Sequence, residues 1–251
     1  MIQVQPRFSE KEEWLDYAKK RTLRFEILEF SSVYLNELGG DEKQFEWYRN
    51  SGLVDSIHGF FMDCYPLSPD NEIREVSRAR CLKSCHQAKM TGAKNVVFHS
   101  TALPFVRGGL ETLWGRDASE YYEHLAEEQD LNIFIENFND VDPEPLVRMM
   151  ENVKGERLKV CLDVGHANYS KCGINEWFSA LGDHIGYLHI SDNKGLWDDH
   201  MILGEGSVDL FAADEYYRKK NGNIPVTIEV HTLRELDASI AFLQREGLFG
   251  F

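Results

Sequence analysis

The sequence predicts an α/β chain folded as a single (β/α)8 barrel, and three observations lead there. Short apolar, β-branched runs alternate with helical patterns along the whole chain. Eight such runs can be counted, each apolar almost throughout, as parallel strands covered by helices must be. The chain has 251 residues and no Pro- or Gly-rich linker, so one domain over 1–251 fits, at a size common for α/β barrels. An open doubly wound sheet is the competing arrangement. Its Gly-rich dinucleotide turn is missing, and "GEG" at 204–206 follows a loop rather than a strand.

Taken in order, IQVQ (2–5) leads into SEKEEWLDYAKKR, where Ser9 and Glu12 have the spacing of a capping box. LRFEILEF (23–30) precedes a helical pattern near 41–50. LVDSIH (53–58) precedes the long amphipathic stretch DNEIREVSRARCLKSCHQAKM, with Gly92 placed as its stop. NVVFHS (95–100) is followed by a helix near 117–129, and NIFIEN (132–137) by one near 143–152. LKVCLDV (158–164), IGYLHIS (185–191) and PVTIEVH (225–231) precede helices near 174–182, 209–220 and 232–246.

Lys and Arg number 27 against 42 Asp and Glu, a net charge of −15. That balance argues against broad attachment to DNA, RNA or an anionic membrane, which relies on basic residues, while leaving a local basic groove open. No apolar stretch reaches the ~18 residues that span a bilayer, and MIQVQPRFSEKEEW lacks a secretory pattern. The five cysteines, Cys64, Cys81, Cys85, Cys161 and Cys172, are odd in number and form no CxxC. They fit reduced thiols in a cytoplasmic protein, and no thiolate metal site can be read from their spacing.

Barrel chemistry sits at the C-terminal ends of the strands. Here the third strand ends at His58, the fourth at His99 and the fifth at Glu136. The sixth ends at Asp163 with His166 just beyond, His189 lies near the end of the seventh, and Glu229 near that of the eighth. The loop after the seventh adds Asp198, Asp199 and His200. Taken singly, a strand-end His is a hydrogen-bonded structural group, an Asp caps the following helix, and a DxH in a loop is solvated. Their convergence on one rim weakens those readings together. Burying so many ionisable groups is costly unless something pairs with them, and a divalent cation provides the partner. Mixed carboxylate and imidazole donors suit Mn²⁺, Zn²⁺, Co²⁺ or Mg²⁺.

The stretches SIHGFF, VVFHS, IFIENF, CLDVGHAN, YLHISDN, DDHMILGEGSVD and VTIEVH resemble the xylose isomerase-like TIM-barrel superfamily, in the right order from about residue 53 to 231. That group holds sugar isomerases and epimerases, and also endonuclease IV-type repair enzymes. Similarity to the ketose 3-epimerase branch implies one divalent metal on Glu136, Asp163, His189 and Glu229. Glu136 and Glu229 would be the catalytic acid and base, and His166 a substrate contact. Similarity to the endonuclease IV branch implies nine ligands for up to three zinc ions: His58, His99, Glu136, Asp163, His166, His189, Asp198, His200 and Glu229.

The chain departs from both patterns. HSTALP and ENFNDVDP stand where the repair enzymes carry Pro-Gly and an ENTAG-like loop, and HISDNKGL lacks the epimerases' Arg, with only Lys194 near. The resemblance therefore implies first a metal-dependent isomerase or epimerase of a sugar or sugar-like hydroxycarbonyl compound, working by metal-stabilised enediolate proton transfer. His58, His99, His166, Asp198 and His200 then bind substrate or additional metal. The alternative is a zinc phosphodiesterase acting on abasic DNA, for which the basic candidates Arg107, Arg116 and Lys194 are sparse. Trp114, Trp197 and Phe60 are candidates to line the pocket, and GEG is a weak candidate phosphate seat. The implied partners are a small-molecule sugar and, as relatives often pair, further copies of the chain; a membrane is not among them.

Overall fold

The eight apolar runs become eight parallel strands: β1 (Ile2–Val4), β2 (Arg24–Ile27), β3 (Val54–His58), β4 (Asn95–His99), β5 (Asn132–Glu136), β6 (Leu158–Asp163), β7 (Ile185–Ile190) and β8 (Val226–Ile228). They close into a barrel in sequence order, and β8 returns to β1 through Ile2↔Val226 and Val4↔Ile228. The structure, a computed structural model, describes residues 1–31, 40–103 and 109–251. The α-helices among them are α1 (Lys11–Arg21), α2 (Glu42–Ser51), α3 (Asn71–Thr91), α4 (Leu110–Gln129), α5 (Glu144–Met150), α6 (Val164–Tyr169), α7 (Ile174–Leu181), α8 (Leu210–Lys219) and α9 (Leu233–Glu246). None is long and apolar enough to cross a membrane.

Local chemistry explains most boundaries. Gly92 ends α3 in the left-handed region at φ 87°, donating its N–H to Ala88. At α1 the expected capping box at Ser9 does not form. A 3-10 turn occupies Phe8–Glu10 and the helix starts at Lys11 after an uncapped Glu10, while the Phe8 N–H, outside the box, donates to Glu29 Oε2. A capping box does form at α2, where Asp41 accepts from the Gln44 N–H and the Gln44 side chain accepts from the Asp41 N–H. Helix α4 begins at Leu110, earlier than its apolar spacing suggested, and the short α6 was not anticipated.

The period-two alternation of the strands divides the core into two layers. Val96, Phe98, Ile133, Ile135, Val160, Leu162 and Leu188 join the helices in one continuous cluster, with Ala118, Tyr122, Leu146 and Trp177. Val97, Phe134, Cys161 and Tyr187, one position out of step, form a separate buried cluster inside the barrel. Two residues further along the same strands, on that same inward face, come His99, Glu136, Asp163 and His189. Register then places them side by side, with His99 opposite Glu136 and Asp163 opposite His189.

Candidate metal centre

All nine residues of the expected ligand set gather at the C-terminal mouth of the barrel, in three groups. Within each group the donor atoms lie within 4.8 Å of one another: His58, His99 and Glu136; Glu136, Asp163, His189 and Glu229; and His166, Asp198 and His200. In the first, Glu136 Oε2 is 3.3 Å from His58 Nε2 and 3.6 Å from His99 Nε2. In the second, His189 Nδ1 lies 3.4 Å from Glu136 Oε2 and 3.3 Å from Glu229 Oε1. In the third, the two oxygens of Asp198 are 3.2 Å from His166 Nε2 and 3.1 Å from His200 Nε2. Glu136 belongs to two of the groups. Cys161 also lies within reach of Glu136 and His189, and burial pushes its thiol above the usual range.

Three of the imidazoles are aimed by their other nitrogen. His58 Nδ1 donates to the Gly59 carbonyl at 3.0 Å, and His166 Nδ1 to the Asn137 carbonyl at 2.7 Å, which turns both Nε2 atoms to the site. His189 is reversed, with Nε2 donating to Glu26 Oε2 at 3.1 Å and Nδ1 facing the ligands. Asp163 serves two purposes. One oxygen caps α6 by accepting from the His166 N–H at 2.6 Å, while the other has no hydrogen-bond partner. The glycine between Asp163 and His166 is required by crowding, since a Cβ on Gly165 would sit 2.4 Å from Ser191 Oγ.

Glu136 Oε2, Asp163 Oδ2, His166 Nε2 and His189 Nδ1 are all buried without a hydrogen-bond partner. Such atoms cost ~1–3 kcal/mol each, and more when charged. All four belong to metal-ligand residue types and converge, so this donor set fits a divalent cation in the second group, with further donors for two neighbours.

Protonation shows how the groups balance without one. Burial alone would raise the Glu136 carboxyl, but the charge of His189 first, with hydrogen bonds from His166 and His189, outweighs it and holds it well below the usual range. Asp163 is pushed up to about 7, first by burial and then by Glu229 and Glu136, against the opposing charge of His166. Burial opposes the charged forms of His166 and His200, yet Asp163 and Asp198 raise the first well above its ordinary value, and Asp198 raises the second to about 9. His99 is driven down to about 3, mainly by burial. Protons on His166 and His200 thus do in part what a cation would, and binding one would release them.

Several contributors were not legible in the sequence. Glu26, mid-strand in β2 and fully buried, accepts from Gln5 Nε2 (3.1 Å), the Tyr187 hydroxyl (2.5 Å), Thr227 Oγ1 (3.0 Å) and His189 Nε2. Burial opposes its ionisation, but His189 and His58 outweigh it and hold it down to about 2. Gln5 also donates to Glu229 Oε1 at 2.6 Å. Phe138 stacks on His99 at 4.3 Å, and Phe61 lies 4.9 Å from His99 and 5.2 Å from His58. These rings border the site; Phe60 packs into the outer core and Trp114 leans against that core.

The GEG stretch is not a phosphate seat. The N–H groups of Gly204 and Gly206 both donate to Asp192 Oδ2 at 2.9 Å, and Gly206 is glycine because a Cβ would lie 2.2 Å from Asp192 Oδ1. Of the basic candidates, Arg116 pairs with Asp117, Lys194 is exposed, and Arg107 lies outside the described residues.

Residues 42–246 match the family described as "Xylose isomerase-like TIM barrel". The chain belongs to that family. Two uncharacterized proteins of Methanocaldococcus jannaschii are similar to it. MJ1614 is 28% identical over 239 residues, 90% of this chain and 93% of that one. MJ1311 is 23% identical over 71% of this chain, a match spanning 65% of MJ1311's own length. Among solved structures, the TTHB071 protein of Thermus thermophilus, soaked with ZnCl2, superposes with a TM-score of 0.78 at 26% identity, covering 97% of this chain and 96% of that one. A D-tagatose 3-epimerase-like protein shares the barrel fold, with a TM-score of 0.74 at 22% identity over 88% and 87%.

Proposed function

We propose that this xylose isomerase-like barrel is a divalent-metal enzyme that uses more than one ion, with zinc as the first candidate, to hydrolyse a phosphoester. The observation that carries the reading is Glu136, one buried carboxylate that belongs to two ligand groups, with a third group beside them. Bound ions would supply Lewis-acid polarisation of a phosphoryl oxygen and activation of water. His58, His99 and Glu136 would hold one ion, Glu136, Asp163, His189 and Glu229 the central one, and His166, Asp198 and His200 a third. Phe61 and Phe138, packed over the histidines, would limit the access of water. The similar barrel soaked with ZnCl2 supports the choice of zinc. The free cysteines suit a reducing compartment such as the cytoplasm.

A second reading has its own support. The group of Glu136, Asp163, His189 and Glu229 is complete by itself for one ion and sets two glutamates on either side of His189 Nδ1. The net charge of −15, with Asp199 exposed at the mouth, suits an uncharged hydroxycarbonyl sugar better than polyanionic DNA. In that isomerase or epimerase, Glu136 and Glu229 would be the acid and base, one taking the proton and the other returning it.

The two readings are separated by counting zinc per chain, then assaying a chromogenic phosphodiester, a duplex with an abasic site, and a ketose panel in D2O. Two or more ions with phosphoester turnover sustain the first. One ion with C–H exchange and no phosphoester turnover sinks it in favour of the second.

A further inference from the structure

We infer that the three ligand groups are graded, with a permanent ion in the four-donor group and an exchangeable ion at the rim group of His166, Asp198 and His200. Free metal concentration then sets how much of the protein is fully loaded. The inference rests on the multi-ion reading above.

The four-donor group is preset. Asp163 and His189 are 0% exposed, Glu136 1% and Glu229 4%. Support from outside the group fixes three of them: the Asn137 side chain clamps the Asp163 backbone at both its N–H and C=O, Glu26 holds His189, and Gln5 holds Glu229. Binding there requires almost no ordering of the ligands, and such supports are commonly worth ~10–100-fold in affinity each.

The rim group is built differently. Its one buried, fixed ligand is His166. The other two come from the β7–α8 loop, with side chains 31% (Asp198) and 20% (His200) exposed. The oxygens of Asp198 face the group's own imidazoles, so its ligands lean on each other. His200 sits in the left-handed region at φ 47°, which a residue with a side chain adopts only under constraint. Its ring stacks on His231 at 5.5 Å, itself exposed. Leu196 and Trp197, just before these ligands, are 72% and 74% exposed, so little burial holds that stretch down. Asp198 and His200 can therefore leave together while His166 stays.

The test is metal counting on the full chain, without reference to turnover. The zinc-loaded protein is equilibrated against chelator-buffered zinc in steps, and zinc per chain is measured by elemental analysis. The expected curve loses one ion at free zinc ~100-fold or more above that which empties the four-donor group. His200→Ala, and His200→Asn as a variant that tolerates the left-handed backbone, should remove that first step and leave the later one in place. Glu26→Gln should shift the later step and not the first. Several ions lost in one step, or a His200 variant that shifts the later step, would overturn the grading while leaving the multi-ion reading intact. A chain that never takes up more than one ion overturns both.

Discussion

The interior of the barrel has two unlike halves beneath the same ring of ligands. Under β4 to β7 the floor is Val97, Phe134, Cys161 and Tyr187, a closed apolar cluster. Under β8, β1, β2 and β3 it is Thr227, Gln3, Glu26 and Ser56, all buried and polar. The Tyr187 hydroxyl is the seam, reaching Glu26, Ser56 and Thr227. Apart from the Tyr187 hydroxyl and the Cys161 thiol, the apolar half gives the candidate ligands a packed base. The polar half sets which nitrogen of His189 faces the site, through Glu26, and which way Glu229 points, through Gln5. One side of the barrel interior is therefore packed with apolar side chains and the other with a hydrogen-bonded polar set.

The sharpest way to break the contrast is Glu26→Leu. It leaves His189 Nε2 without its acceptor and strips Tyr187, Thr227 and Gln5 of one of theirs, and should cost ~3–5 kcal/mol in denaturant unfolding. Zinc affinity should fall ~10–100-fold in a chelator titration; unchanged affinity would make the polar half mere packing. Phe134→Ala is the counterpart from the apolar half. It should cost ~3 kcal/mol through the cavity it leaves, with zinc affinity within about twofold of the parent.

Gln5→Leu should be milder, ~2 kcal/mol, because it removes hydrogen bonds to two carboxylates without emptying the site. Its effect on zinc should appear only in the affinity of the four-donor group. The smallest effect is a pH dependence. His200 titrates near 9 in the fold against an ordinary 6.5, so its stabilisation is whole below 6.5 and is lost as pH rises through about 9. His166 and His189, both raised, act in the same direction. Metal-free protein should then melt at a lower temperature at pH 9.5 than at 6.5, while zinc-loaded protein, whose ligands have already released their protons, should stay level. A metal-free melting temperature that rises over that window would contradict the assignment.

How legible the molecule was depended on whether a signal was local. The eight strands could be read because each is a short apolar run, and His58, His99, Glu136 and Asp163 because they terminate such runs. Glu26 was not legible. A charge inside LRFEILEF looks like an outward-facing residue until the barrel closes and brings Tyr187, Thr227 and His189 to it from residues 161, 201 and 163 positions away. Ser9 failed because a 3-10 turn occupies Phe8–Glu10 and the helix begins only at Lys11. GEG displayed its donors in the sequence but not Asp192, the acceptor that uses them.

That Asp192 contact has a wider meaning for the rim. Its backbone pairs with Met201 in both directions, and its carboxylate gathers the N–H groups of Asn193, Gly204, Gly206 and Val208. Both feet of the loop are thus tied to one post at the strand end, and the stretch from Lys194 to Trp197 hangs between them like a handle. Exchanging that tip for another should therefore disturb the barrel beneath very little, because the ties that hold the loop lie at its feet.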